Sequence, residues 1–262
     1  MTMARGRPFA VLTTVALAVS LVFLTLPVVA VFANTAPGKL VSSLGDGSAR
    51  DALGLSLETS TIALALIVVF GTPAAYLLAT RTFRSRSMLV TLIELPLVLP
   101  PAVAGIALLA AVGPHGILGS VVSDLHVQLV LATAGVVVAL TFVAAPFYLR
   151  QAQAAFAAVD PRLREASRTL GAGEAATFLR VAVPVARPGL VAGAALAWGR
   201  ALGEFGATLM FAGSFRGVTQ TVPLAIYERF ATDFTGALAL SAVLVAVSAA
   251  VLASVKLLGA PA

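Results

Sequence analysis

The residues able to do chemistry are few, and they stand in apolar surroundings. The 262-residue chain has 17 Lys and Arg, 11 Asp and Glu, two His and no cysteine. Arg200 and Glu204 lie four apart inside an apolar run, a spacing that puts them on one helix face and lets them pair. Charges at membrane depth are costly and as a rule face a bundle interior or a cavity. Two roles are open for the pair: a structural ion pair that closes a gate, or an arginine that offsets the charge of a passing anion. The structural role is preferred, because a strong fixed anion site would hold what it should release. Glu94 opens the stretch Glu94-Leu95-Pro96-Leu97-Val98-Leu99-Pro100-Pro101. Its prolines remove backbone donors and prevent a regular helix. Such backbone is tolerated at membrane depth where it is buried in protein or lines a cavity; the plainer reading is a kinked packing helix. His115 and His126 flank Asp124 in one loop, a conceivable metal site but more simply incidental, and no metal is assigned. Without cysteine, neither a disulfide framework nor a thiolate metal site is possible.

Helices must position these residues. Hydrophobic residues make up 60% of the chain and charged ones 11%, against about 25% charged in soluble domains. The mean hydropathy is +1.02. A bilayer core takes roughly 20 apolar residues to cross. Five runs qualify: Phe9–Ala33, Ser56–Thr80, Met88–Val112, Val127–Leu149 and Gly236–Leu258. A sixth, Pro188–Phe211, is apolar apart from Arg200 and Glu204. The first run follows Arg5 and Arg7 as a signal peptide would, but it is longer than a secretory core of about 7–15 residues, so an uncleaved helix is expected.

Charge sets the orientation. With the N-terminus inside, the inner side holds Arg5, Arg7, Arg81, Arg84, Arg86, Arg150, Arg162, Arg164, Arg168, Arg180, Arg187 and Lys256. The outer side holds Lys39, Arg50, Arg216 and Arg229. This asymmetry places both termini in the cytoplasm. It also accounts for the net charge of +6 without nucleic acid as a partner. Arg81, Arg84 and Arg86 hold topology and are placed to touch anionic lipid heads. Trp198 reads as a lipid-facing or packing group.

The longest inner segment, Arg150–Arg187, carries its own structure. Asp160-Pro161 reads as a helix start, with Asp as N-cap and Pro in the first turn. Gly171 reads as its stop, and a second helix over Glu174–Val183 is expected to end at Pro184. The result is a helix–turn–helix at the membrane surface, within a single membrane domain over residues 1–262.

That segment carries a resemblance. Glu165-Ala166-Ser167, three residues, Gly171, nine residues, then Val181-Ala182-Val183-Pro184 resembles the EAA loop of ABC importer permeases, with Ser in place of the second Ala and Val181 and Val183 in place of Ile and Leu. The proline-rich third run is similar to molybdate permeases. Arg200-Ala201-Leu202-Gly203-Glu204-Phe205-Gly206-Ala207 is similar to their oxyanion branch, which sulfate members share; Thr219–Tyr227 is closer to the molybdate side.

The resemblance implies an all-α integral membrane protein of about six transmembrane helices with a cytoplasmic coupling helix. It implies an ATPase-docking set of Asp160, Pro161, Glu165, Ala166, Ser167, Gly171 and Pro184. It also implies a translocation path or gate at Glu94, Pro96, Pro100, Pro101, Arg200, Glu204 and Thr208. The implied partners are a second copy of the chain, two ATPase subunits that bind ATP and Mg, an external oxyanion-binding protein and membrane lipid, in a bacterial cytoplasmic membrane. The chain has no Gly-x-x-x-x-Gly-Lys-Ser/Thr loop, so a permease without its own ATPase site and without a cofactor is expected. Molybdate is the expected cargo, with tungstate as a further one and sulfate or thiosulfate as the alternative. An intramembrane enzyme would need a nucleophile–base pair or metal ligands at depth, and no His-Glu-x-x-His is present. A lone secondary transporter would leave the EAA-like loop unexplained.

Overall fold

The computed structural model describes residues 7–36, 38–39, 42 and 45–259; Arg5, counted above on the inner side, lies outside them. Every regular element among the described residues is helical. Helix α1 is Arg7–Ala33 and α2 is Gly47–Thr80. The third run forms α3 (Arg86–Val98) and α4 (Pro101–Val112), and α5 is Gly119–Asp124. Next come α6 (Thr133–Ala157), α7 (Pro161–Thr169) and α8 (Glu174–Thr177). The run Pro188–Phe211, fifth in chain order, forms α9 (Val183–Leu202) and α10 (Gly206–Ala212), followed by α11 (Val222–Phe230) and α12 (Phe234–Gly259). Five helical stretches are long and apolar enough to cross a membrane; the third run, divided between α3 and the shorter apolar helix α4, is read as a further, broken crossing.

Several boundaries moved for physical reasons. Helix α2 begins nine residues before Ser56, because Asp46 caps it by accepting the Ser48 N–H at 3.0 Å. Helix α6 starts at Thr133 rather than Val127, after a stretch in which His126 (φ 54°) and Leu131 (φ 58°) adopt left-handed backbone. The expected stop at Pro184 does not occur. Phe178–Ala182 widen into a π turn in which the Val183 N–H bonds Phe178 O, and the chain runs on helically into α9. The wider register absorbs a residue that lacks a donor and would clash four residues back in an α-helix.

Two crossings are broken. Leu99 (ψ 131°) and Pro100 (ψ 137°) are extended, which separates α3 from α4 as the prolines implied. The second break was not anticipated: α9 ends at Leu202, and Gly203, Glu204 and Phe205 intervene before α10. Arg200 and Glu204 therefore do not share one continuous helix, although they still meet.

Helices α2, α6 and α9 form the centre of the bundle. Lipid tails are as apolar as leucine, so helix association rests on close packing of small residues. The core accordingly holds Ala63, Ala75, Ala144, Ala152, Ala186, Ala197 and Ala201 around Tyr148 and Phe156. Gly189 and Gly193 of α9 form a Gly-x-x-x-Gly stripe against Ala155, Gln151 and Tyr148 of α6. Tyr148 keeps its hydroxyl satisfied 2.6 Å from Thr72 Oγ1. Trp198 packs against α2 and donates from Nε1 to Ser60 Oγ at 3.0 Å. Helix α1 stands apart with its side chains exposed, touching α12.

Candidate functional site: a capped inner helix and a cavity between broken helices

The inner helix α7 is defined at both ends. Asp160 Oδ1 accepts the Arg162 N–H at 2.9 Å, and Pro161 occupies the first turn, where its missing donor costs nothing. At the other end Gly171 is left-handed (φ 87°). Its N–H bonds Arg168 O at 2.9 Å, and the Ala172 N–H bonds Ser167 O at 3.1 Å. These two bonds close the helix in a Schellman motif, which needs glycine at that φ. Asp160, Pro161, Glu165, Ala166 and Gly171 are exposed, and Leu170 projects with 88% of its surface free. Ser167 turns inward, its Oγ 3.0 Å from Thr177 Oγ1. Pro184 lies off α7, on the outside of the first turn of α9. Between α7 and the inner end of α2 lies a groove of about 490 Å³, lined by Pro73, Tyr76, Leu77, Arg81, Arg164 and Glu165 among others.

Within the bundle, the break in the third crossing faces the break in the fifth. A cavity of about 170 Å³ is lined by Pro96, Leu97, Leu99, Pro101, Ala104, Val143, Phe147 and Arg200. Arg200 is its charged wall. Behind it Glu204 is buried, 1% exposed, with Oε2 2.6 Å from Arg200 Nη2. The guanidinium approaches off the hydrogen-bond axis, which leaves Oε2 without an aligned donor. Glu204 Oε1 accepts the Ala207 N–H at 2.7 Å, capping α10. This cap explains the break: the carboxylate satisfies a helix start that the apolar run would otherwise leave orphaned. Thr208, also expected at the path, is buried in α10 with its hydroxyl unpaired, and it does not line the cavity. Glu94 lies outside the cavity as well, paired with Arg150 of α6 at 3.1 Å. Pro100 sits at the break itself.

Sequence reasoning missed the outer network. Arg229 of α11 pairs with Asp46 and donates to Ser48 Oγ at 2.7 Å; Arg216 pairs with Glu228 at 2.8 Å. The Val222 N–H donates to Ser56 Oγ at 2.8 Å, so a side chain of α2 caps α11. Hydrogen bonds from Arg229 first, and from the Ser48 backbone, hold the Asp46 carboxyl below its ordinary range; Arg216 does the same for Glu228. These partners stand far apart in sequence, and the one local signal is the Asp-Gly-Ser start of α2.

A bundle with two broken crossings, a capped helix projecting on its basic side and no strand among the described residues is the architecture of a transport permease. The chain belongs to the family of binding-protein-dependent transport system inner membrane components, which matches residues 67–260. It is a multi-pass inner membrane protein. It is 40% identical over 235 residues to the molybdenum transport system permease protein ModB of Mycobacterium tuberculosis, covering 90% of this chain and 89% of that one. The protein so named in Escherichia coli is 37% identical over 68% of this chain and 78% of its own length. In fold, the chain is similar to a bacterial ABC transporter involved in the import of the acidic polysaccharide alginate, with a TM-score of 0.73 at 16% identity over 97% of this chain and 96% of that one. It is also similar to the MetNI methionine ABC transporter, with a TM-score of 0.59 at 18% identity over 81% and 93%.

Proposed function

We propose that this chain is the permease subunit of an ATP-driven molybdate importer. Two copies form the path, and two separate ATPase subunits dock at the Asp160–Gly171 segments. An external oxyanion-binding protein delivers the cargo. The observation that carries the reading is the projecting, doubly capped α7 in a chain whose relatives over 90% of its length are named as molybdenum transport permeases. ATP and Mg belong to the partner ATPase. Asp160, Pro161, Glu165, Ala166, Ser167, Gly171 and Pro184 serve docking, Ser167 and Pro184 by shaping the segment from behind.

Glu94, Pro96, Pro100, Pro101, Arg200, Glu204 and Thr208 serve the path or its gate. The broken backbone at Leu99 and Pro100 gives the third crossing a joint, and Arg200 faces that joint. Glu204 both holds Arg200 and starts α10, so motion at the joint is felt in the fifth crossing. The pair keeps the local charge near neutral, which lets an anion pass without a deep well. ATP-driven closure of the ATPase subunits carries the α7 helices and rocks the crossings between inward and outward access.

Labelled molybdate uptake tests the reading in cells lacking the gene and complemented with it. Restored uptake, blocked by tungstate and indifferent to sulfate, is the expected result. Uptake blocked by sulfate would move the cargo to the sulfate class. No uptake beside a co-expressed ATPase and binding protein would overturn the assignment.

A further inference from the structure

The joint that fastens α7 to the bundle brings Ser167 of the docking set together with Glu174, Thr177, Arg81 and Arg168, which have no part in that set. The link from α7 to α8 is Gly171-Ala172-Gly173, and a Cβ at either glycine would meet nothing within 4 Å. The Schellman bonds fix Gly171 and Ala172 to the end of α7, but neither glycine is packed against the bundle. What holds this end of α7 is side-chain contact. Glu174 lies between two guanidiniums: Arg81, just past the end of α2, and Arg168 in the last turn of α7, whose Nη2 is 3.2 Å away. One turn further on, Thr177 is fully buried and its hydroxyl meets Ser167 Oγ at 3.0 Å. The related EAA pattern carries alanine where this chain has Ser167, so the hydroxyl joint goes beyond that pattern. Beneath these contacts Tyr76 of α2 packs on Phe178 of the π turn (centroids 4.8 Å apart) and on Phe156 of α6 (5.3 Å). Three elements thus converge on Glu174 and Thr177: the inner end of α2, the coupling helix, and the helical root of the fifth crossing.

We propose that Glu174 is a positioning residue for ATP-driven transport, the strut that makes α7, the inner end of α2 and the root of α9 move as one body, with Ser167–Thr177 as its second joint. Exposed ion pairs add little to stability, and the strut matters through geometry instead. One carboxylate shared by two arginines from different elements sets the angle of α7 against the bundle, where the Gly171–Gly173 link makes no glycine packing contact of its own. The inference rests on the coupling role given to α7 above.

The chain has no cysteine, so spin labels can be placed at Arg84→Cys and Arg162→Cys, both exposed, without background. Distances between them are measured in the assembled complex with its ATPase subunits in nanodiscs, with and without trapped ATP. The labelled but otherwise unaltered chain is expected to give one narrow distribution in both states. Glu174→Gln is expected to broaden it and to lower molybdate transported per ATP hydrolysed several-fold, with the complex still assembled. Reversing all three charges (Glu174→Arg with Arg81→Glu and Arg168→Glu) is expected to restore both readouts. An unchanged distribution or an unchanged transport ratio in Glu174→Gln would overturn the proposal. So would loss of assembly, which would make Glu174 a docking residue. The distance measurement needs no cargo, so failure of molybdate transport by the unaltered complex would count against the cargo and leave the strut result standing.

Discussion

At the residue scale, Glu204 has two partners at once. Its buried carboxylate caps α10 through the Ala207 N–H and lies 2.6 Å from Arg200, whose side chain is partly exposed to the cavity. Glu204→Ala strands a guanidinium and a helix-start donor together. Breaking one side of a fully buried pair costs about 3–5 kcal/mol; with Arg200 partly exposed the cost is smaller, and this variant should unfold at lower temperature in detergent. Arg200→Met with Glu204→Gln removes both charges and keeps an acceptor for Ala207; its melting temperature should recover most of the loss. Equal destabilisation in the two variants would mean that the charge pair itself holds the fold. The outer carboxylates behave differently. Asp46 and Glu228 are held below the ordinary range by Arg229 and Arg216. Their contribution is therefore full above the unfolded carboxylate value, near 4, and is lost as pH falls through the lower folded values. Acid below about pH 4 should loosen the start of α2, read as faster hydrogen exchange there. Asp46→Asn should show that fast exchange already at neutral pH.

At the scale of elements, packing in the bilayer depends on backbone approach. A methyl group at Gly189 would run into Ala155 Cβ. Gly189→Ala should cost about 1–3 kcal/mol by overpacking, and Ala155→Gly should recover part of it in a double-mutant cycle. Additive losses would show that the two helices separate freely. The same elements show what was legible in the sequence. The break after Leu99 was readable, because prolines announce lost donors. The break at Gly203–Phe205 was hidden, because hydropathy is blind to an interruption inside an apolar run. Glu204 was visible there as a charge but not as a cap. The stop expected at Pro184 failed because the preceding π turn accommodates the ring, which local rules do not foresee. Helix α7 was read to within a residue, since both of its ends are set by local chemistry, Asp160 and Gly171. Its attachment through Glu174 and Arg81, 93 positions apart, was out of reach of any local pattern.

At the scale of the whole molecule, the basic side of the bundle and the projecting α7 fall on one face, and the outer ion pairs on the other. Single cysteines at Arg162 and Arg216 should separate cleanly with an impermeant maleimide. The Arg216 position should label in intact spheroplasts, and the Arg162 position only after lysis. The most direct test of the account is ATP-driven accumulation of labelled molybdate by proteoliposomes that hold this chain, its ATPase and the binding protein, beside the same vesicles with Glu165→Arg. The account expects accumulation that needs both ATP and the binding protein. It expects Glu165→Arg to insert normally but to fall roughly tenfold or more, the effect of weakening one docked contact by about 1.4 kcal/mol. Accumulation by Glu165→Arg at the unaltered rate, or none by the complete set, would contradict it.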